Sequence, residues 1–334
     1  MMRKLLFALA ALALLLPACN RAASGPQRYV IDVDAKSTPK EKFQFSAYFP
    51  AEVRVSGGDT VRFRNRSTEA PHTITFGVLA DRSNQPAILT DSGENPVVVK
   101  PCDIDDEPTE KLSKCDAEQL KPYDGSGYWN SGYLNPSTAP KSAGPQNVSV
   151  KLADDIPAGN YTYVCILHPF MSGAITVVED EGDRSVISDV RAAIKEDAAA
   201  AREEAEGFEE PELEIDGDEA TVTAGWGDRV TSVNRFGPAS IEVDAGTTVR
   251  WEVDNPYEPH TVTFEPTFEG VAPEAFVPGG VKSGEDYTGG FSNSGVFASS
   301  GPFEGDFSLR FPQAGTYEYI CALHPGMDGT IKVT

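Results

Sequence analysis

The stretch Gly159-Asn160-Tyr161-Thr162-Tyr163-Val164-Cys165-Ile166-Leu167-His168-Pro169 returns, offset by 156 residues, as Gly315-Thr316-Tyr317-Glu318-Tyr319-Ile320-Cys321-Ala322-Leu323-His324-Pro325. Repetition on this scale means that one unit of structure occurs twice in the chain. Working back toward the N-terminus, Pro71-His72-Thr73-Ile74-Thr75-Phe76 is echoed by Pro259-His260-Thr261-Val262-Thr263-Phe264. Gly58-Asp59-Thr60-Val61-Arg62-Phe63 is echoed by Gly246-Thr247-Thr248-Val249-Arg250-Trp251, and Pro50-Ala51-Glu52-Val53-Arg54-Val55 by Pro238-Ala239-Ser240-Ile241-Glu242-Val243. These three pairs are offset by 188, so the first copy holds 32 more residues between its blocks. Val53, Val55, Val61 and Phe63 alternate with polar residues, as do Ile241, Val243, Val249 and Trp251. Alternation over short runs bounded by Gly and Pro predicts antiparallel strands half-buried in a β-sandwich. The expected fold is therefore all-β, with one sandwich over residues 28–178 and a second over 219–334.

The chain has four histidines and, beyond Met1 and Met2, two methionines. All six (His72, His168, His260, His324, Met171 and Met327) fall at matching positions in the copies, and each copy adds a cysteine, Cys165 or Cys321. Each copy thus reads His…Cys-x2-His-x2-Met. A lone buried His or Cys is ordinarily a core residue, but that reading leaves unexplained why every histidine lies in one duplicated pattern. Two imidazoles and a thiolate in a plane, with a weak thioether on the axis, suit copper and satisfy Cu(I) and Cu(II) about equally. Structural zinc sites rarely use Met. The predicted cofactor is copper, two type 1 ions per chain. His72, Cys165, His168 and Met171 would hold one, and His260, Cys321, His324 and Met327 the other.

On these residues both copies resemble plastocyanin-like cupredoxins, and Cys165-Ile166-Leu167-His168-Pro169-Phe170-Met171 resembles the short ligand loop of amicyanin. The resemblance implies two Greek-key cupredoxin sandwiches, with His72 and His260 as upstream ligands, Cys165 and Cys321 as thiolates, and Met171 and Met327 as axial ligands. It also implies that the loop histidine, His168 or His324, reaches the surface amid apolar residues such as Pro169, Phe170 and Pro325. There it would pass an electron to a docked redox protein, such as a cytochrome or a membrane electron-transfer complex. The chain departs from the family in carrying Thr73 and Thr261 where Asn commonly follows the first ligand histidine; their hydroxyls are expected to brace the ligand loops. Phe170 is matched by Gly326, so the two sites should present different surfaces. Tyr123, Tyr128, Trp129 and Tyr133 lie near Asn130-Ser131-Gly132, which is echoed by Asn293-Ser294-Gly295; family-like packing is the expected role, with a partner-docking patch as the lesser alternative. Cys102 and Cys115 lie among Asp103, Asp105, Asp106 and Glu107 and have no counterpart in the second copy. In an exported protein they are expected to close the long loop as a disulfide, with a cation site on the acidic run as the minor alternative.

Arg3 and Lys4 precede an apolar run from Leu5 to Leu16, which predicts a secretory signal over residues 1–18. Leu16-Pro17-Ala18-Cys19 resembles a bacterial lipobox, so Cys19 is the expected lipidation site and 19–27 a lipid-anchored tether. The alternative is cleavage after Ala22 or Ala23, which discards Cys19. The protein is accordingly expected outside the cytoplasm, anchored to the cell membrane by its lipid and facing the periplasm or the cell exterior. Between the sandwiches lies an acidic linker, 179–218; from Glu179 to Glu219 there are 17 acidic residues against 4 basic ones. From Arg184 to Glu206 it lacks Gly and Pro, and Val186, Val190 and Ile194 recur at helical spacing, with Ser185 or Asp183 as the expected cap. That predicts a helix serving as a spacer or docked by its narrow apolar stripe; a disordered acidic linker is the alternative. A net charge of −23 argues against nucleic acid as partner. Two classes compete with electron carriage. Copper oxidoreductases need further histidine-only sites, and none of the four histidines is left over, so the chain is not expected to be an enzyme. Storage or delivery proteins tend to carry exposed Met-rich or His-rich clusters, and this chain has no spare Met or His. One-electron transfer at the cell envelope is the function expected.

Overall fold

The computed structural model describes residues 24–37, 41–68, 70–77, 88–91, 95–98, 122–127, 129–139, 144–168, 170–255, 257–268, 273–300 and 303–334. The expected signal peptide, the lipidation site Cys19 and the expected disulfide of Cys102 and Cys115 lie outside the described residues.

Period-two alternation becomes two faces of a sheet, because successive side chains of a strand point to opposite sides. Val53, Val55, Val61 and Phe63 are buried while Glu52, Arg54 and Arg62 face outward. In the first repeat one sheet runs Asn147–Lys151, Thr60–Asn65, Arg28–Val33, Tyr48–Phe49. The other runs Glu52–Val55, Ser172–Val177, Gly159–Val164, Thr75–Phe76, Trp129–Asn130. Their inner faces close a core that includes Tyr29, Ile31, Phe63, Tyr163 and Ile175. The second repeat builds the same two layers around Trp251, Phe264, Phe311, Tyr319 and Ile331.

The strands are not all antiparallel. The turn at Gly58-Asp59 carries the chain from one sheet to the other, so Glu52–Val55 runs parallel to Ser172–Val177, and Thr60–Asn65 parallel to Arg28–Val33. The second repeat has the same two parallel pairs. Alternation reports which face is buried and is silent on strand direction, which is why the sequence missed this.

The repeats also interlock. Phe43–Phe45, from the N-terminal part of the chain, pairs antiparallel with Thr231–Gly237 and forms the edge strand of a sheet of the second repeat. Phe43, Phe45 and Phe49 join Ala205, Trp226 and Val233 in a third buried cluster that belongs to neither sandwich alone.

The linker forms a helix, Ile187–Glu206. Val190 and Ile194 pack on the first core and Ala205 enters the third cluster, so the apolar stripe is docked. Neither expected cap operates: Val186 holds the N-cap position without a side-chain hydrogen bond. Ser185 Oγ instead accepts the N–H of Arg54 at 2.9 Å, fastening the linker to the sandwich. Arg184 reinforces this from a buried position, donating to Asp59 Oδ1 at 3.1 Å and to the Gly25 carbonyl at 2.9 Å. Among the described residues no helix is long and apolar enough to cross a membrane.

Candidate metal centres

Each centre forms where two neighbouring strands end. His72 is held by reciprocal backbone bonds with Leu134, His72 N–H to Leu134 O at 3.0 Å and the reverse at 2.7 Å. Cys165 follows the strand Gly159–Val164, and a tight loop returns through His168 to Met171. Two backbone bonds close that loop, Cys165 N–H to Met171 O at 3.0 Å and Met171 N–H to His168 O at 3.2 Å. The second repeat reproduces both bonds, at 2.9 Å from Cys321 to Met327 and 3.1 Å from Met327 to His324. The spacing Cys-x2-His-x2-Met thus turns three side chains inward from one short loop, while the fourth comes from a separate segment.

In the first centre Cys165 Sγ lies 3.4 Å from His168 Nδ1 and 3.9 Å from His72 Nδ1. In the second, Cys321 Sγ lies 3.4 Å from His324 Nδ1 and 3.8 Å from His260 Nδ1. In each triad the ligand atoms lie within 4.8 Å of one another, and all three residues are buried. Met171 and Met327 are buried in the same cores as the cysteines. The structure therefore brings together six of the eight expected ligands by direct convergence, with the two methionines on the same loops.

The threonines brace the loops. Thr73 Oγ1 accepts the N–H of Ile166 at 2.9 Å, and Thr261 Oγ1 that of Ala322 at 2.7 Å. The backbone N–H of each threonine points at the cysteine sulfur, at 3.4 Å in both centres. The Asn-Ser-Gly echo has a matching role: Ser131 Oγ accepts the N–H of Ile74, and Ser294 Oγ that of Val262, each at 2.8 Å.

The electrostatics favour thiolates. Burial alone would raise the Cys165 thiol, but the charge and hydrogen bond of His168, with the Thr73 N–H, bring it below its usual range. Cys321 goes further, well below that range; burial opposes this, and the charge and hydrogen bonds of His324 and His260 outweigh it.

Three residues that sequence reasoning passed over distinguish the centres. Asp34, fully buried, presents Oδ2 to His72 Nε2 at 3.2 Å. Its counterpart is Gly225, which has the same left-handed backbone (φ +74° against +63°) and where a Cβ would stand 2.0 Å from His260 Nε2. His260 Nε2 accordingly has no hydrogen-bond partner among the described residues. Glu258 and Gln44 lie at the other end of the centres, against the loop histidines. Glu258 Oε1 is 3.0 Å from His324 Nε2, Glu258 Oε2 is 4.0 Å from His168 Nε2, and Gln44 Nε2 is 3.2 Å from His168 Nε2. His168 and His324 are 7% and 4% exposed, so the loop histidines do not reach the surface as the resemblance implied; they face each other between the repeats. A signal did exist. Glu258-Pro259-His260 stands against Ala70-Pro71-His72, an acidic residue beside a ligand in one copy only.

Comparison with known proteins agrees with this geometry. The copper binding proteins of the plastocyanin/azurin family match residues 227–334. A plastocyanin of Scenedesmus fuscus is 36% identical over 104 residues, an alignment covering 29% of this chain and 85% of that protein. Among solved structures, a purple cupredoxin from Nitrosopumilus maritimus shares 20% identity over 34% of this chain and 98% of its own, with a TM-score of 0.23. An amicyanin variant in its reduced Cu(I) form shares 25% identity over 36% of this chain and 86% of its own, also with a TM-score of 0.23. This chain, with its duplicated His-Cys-His triad, belongs to the plastocyanin/azurin family of copper binding proteins.

Proposed function

We propose that the protein is a one-electron carrier of the cell envelope with a type 1 copper site in each repeat. The observation that carries this reading is the duplicated buried triad, a cysteine sulfur within 4 Å of two imidazole Nδ1 atoms, twice in one chain. The donor set fits copper: a thiolate favoured by its surroundings, two imidazole nitrogens aimed at it, and a methionine on the same loop. Copper held there supplies reversible one-electron chemistry. The chain's own contribution is rigidity and dryness. The threonine hydroxyls and the closing backbone bonds fix the loops, and the sandwich cores exclude water from the sulfur. All four histidines are engaged in the two sites, which leaves no imidazole for a separate substrate-binding copper and argues for a carrier rather than an enzyme.

The N-terminal apolar run and Leu16-Pro17-Ala18-Cys19 support export and lipidation at Cys19, and hence a carrier held beside membrane complexes or cytochromes outside the cytoplasm. Copper counting with visible and paramagnetic resonance spectra of the loaded chain tests the reading. Two ions per chain and an intense blue band, each halved in Cys165→Ser and in Cys321→Ser, are expected. Copper that survives both substitutions together, or a colourless loaded protein, refutes it.

A further inference from the structure

The two loop histidines converge on a single carboxylate. Glu258 is 7% exposed, and its two oxygens divide between the repeats, Oε1 to His324 Nε2 at 3.0 Å and Oε2 toward His168 Nε2 at 4.0 Å. It is held firmly. Gln44 Nε2 donates to Oε2 at 2.7 Å, and Asn255 Oδ1 accepts the Glu258 backbone N–H at 2.9 Å. Gln44 is fixed in turn by Asn234 Nδ2, at 3.0 Å, and Asn234 by Ser232 Oγ, at 2.7 Å. A buried carboxylate is costly unless it is paired and hydrogen-bonded, so a residue placed this way, with no counterpart in the first repeat, calls for a role. Core packing does not supply one, since Ala70 fills the equivalent position.

We propose that Glu258 couples the two metal sites: a shared carboxylate, its charge felt by both, that meets His324 directly and reaches His168 through Gln44, whose Nε2 lies 3.2 Å from His168 Nε2. The proposal rests on the reading of two copper sites. Its physical content is simple. A negative charge in a dry setting favours the more positive oxidation state of any metal beside it, and favours it more the closer it lies. One carboxylate between two sites therefore stabilises Cu(II) at each. A change of charge at either site alters its hold on the other, and that coupling is reciprocal.

The test uses full chains that keep one site each, Cys321→Ser for the first and Cys165→Ser for the second, with and without Glu258→Gln. Reduction potentials are measured by redox titration. Glu258→Gln is expected to raise the potential at both sites. At the His324 site the shift toward Cu(I) should reach about tenfold, which is about 59 mV for one electron, and it should be smaller at the His168 site across the longer contact. Glu258→Asp, which keeps the charge on a shorter stem, should recover part of each shift. In the metal-free chain the His324 ring N–H proton, followed by nuclear magnetic resonance, should exchange with water faster in Glu258→Gln than in the parent. A shift confined to one site, or none at either, overturns the coupling while leaving two copper sites in place. A parent chain that takes up no copper overturns the carrier reading and the coupling with it.

Discussion

Gly225→Ala separates the two centres by a contact only one of them makes. Gly225 has φ +74°, and a Cβ placed there would stand 2.0 Å from His260 Nε2, 2.6 Å from Cε1 and 2.9 Å from Cδ2. Carbon atoms in contact sit about 3.5 Å apart or more, so the ring would have to retreat by roughly 1.5 Å. It has nowhere to go, because His260 is fully buried and its Nδ1 already lies 3.8 Å from Cys321 Sγ. A metal site tolerates displacements of about 0.5 Å. Adding about 1–2 kcal/mol for left-handed backbone at Ala and about 1–3 for overpacking predicts a loss of about 2–5 kcal/mol in stability. Copper per chain should fall from two to one, and the surviving signal should be that of the first site. The control is Asp34, which lies against His72 as Gly225 lies against His260, has φ +63° and already carries a side chain there. Asp34→Ala removes the acceptor for the N–H groups of Ala35 and Phe45 and the partner of His72 Nε2, so it should lower stability, while copper stays at two per chain because the first site then matches the second, where His260 Nε2 has no partner among the described residues. Urea unfolding, copper counting and the visible spectrum read all of this. A Gly225→Ala chain that keeps two coppers and an unaltered spectrum would falsify the claim that His260 is positioned by backbone beneath its ring.

Two further outcomes follow from buried charge. Arg184→Met should cost about 3–5 kcal/mol in urea unfolding, because it leaves the carboxylate of Asp59 buried without its cation; both copper spectra should persist, and a loss below about 1 kcal/mol would contradict the buried pair. Burial chiefly, with nearby negative charge, pushes Tyr29, Tyr123 and Tyr287 from the usual 10.0 up to about 12. The unfolded chain ionises first, so their contribution is intact below pH 10 and is lost as pH rises toward about 12. Urea midpoints measured across that window should fall, and midpoints that hold steady throughout it would count against burial of these phenols.

The sequence made the centres legible because their chemistry is rare and local. Cys165, His168 and Met171 share one loop, the partner histidine sits in a Pro-His-Thr motif just ahead of a short strand, and duplication showed each residue twice. Burial of Val53, Val55, Val61 and Phe63 was legible for the same reason, since alternation is a property of the chain itself. The helix Ile187–Glu206 was readable from composition, but its cap was not: Ser185 pairs with Arg54, a partner 131 residues away. Asp34, Gln44 and Glu258 escaped because each acts across the fold, Gln44 through a strand pairing that no local pattern announces. What the sequence did hold was the difference between copies at those positions, which becomes informative only once the strands are aligned in register.

Several of the differences between the copies lie where the two repeats meet. The ligands, the bracing threonines and the Asn-Ser-Gly turns match between repeats, whereas positions 34 and 225, 70 and 258, and 170 and 326 do not. Asp34 accepts the N–H of Phe45 in the crossing strand, and Glu258 meets both loop histidines. Phe170 lies against Tyr257 with ring centroids 4.6 Å apart. Gly326 lies under Lys42, whose Nζ donates to Pro325 O at 3.0 Å and would sit 2.6 Å from an added Cβ. The mismatched pairs 70/258 and 170/326 thus lie where the two loop faces meet, while the metal-binding sets are the same in both repeats. In this arrangement both loop histidines are covered, His168 7% and His324 4% exposed. If the protein carries electrons as proposed, the part of the first loop open to a partner is the rim at Phe170, which is 41% exposed.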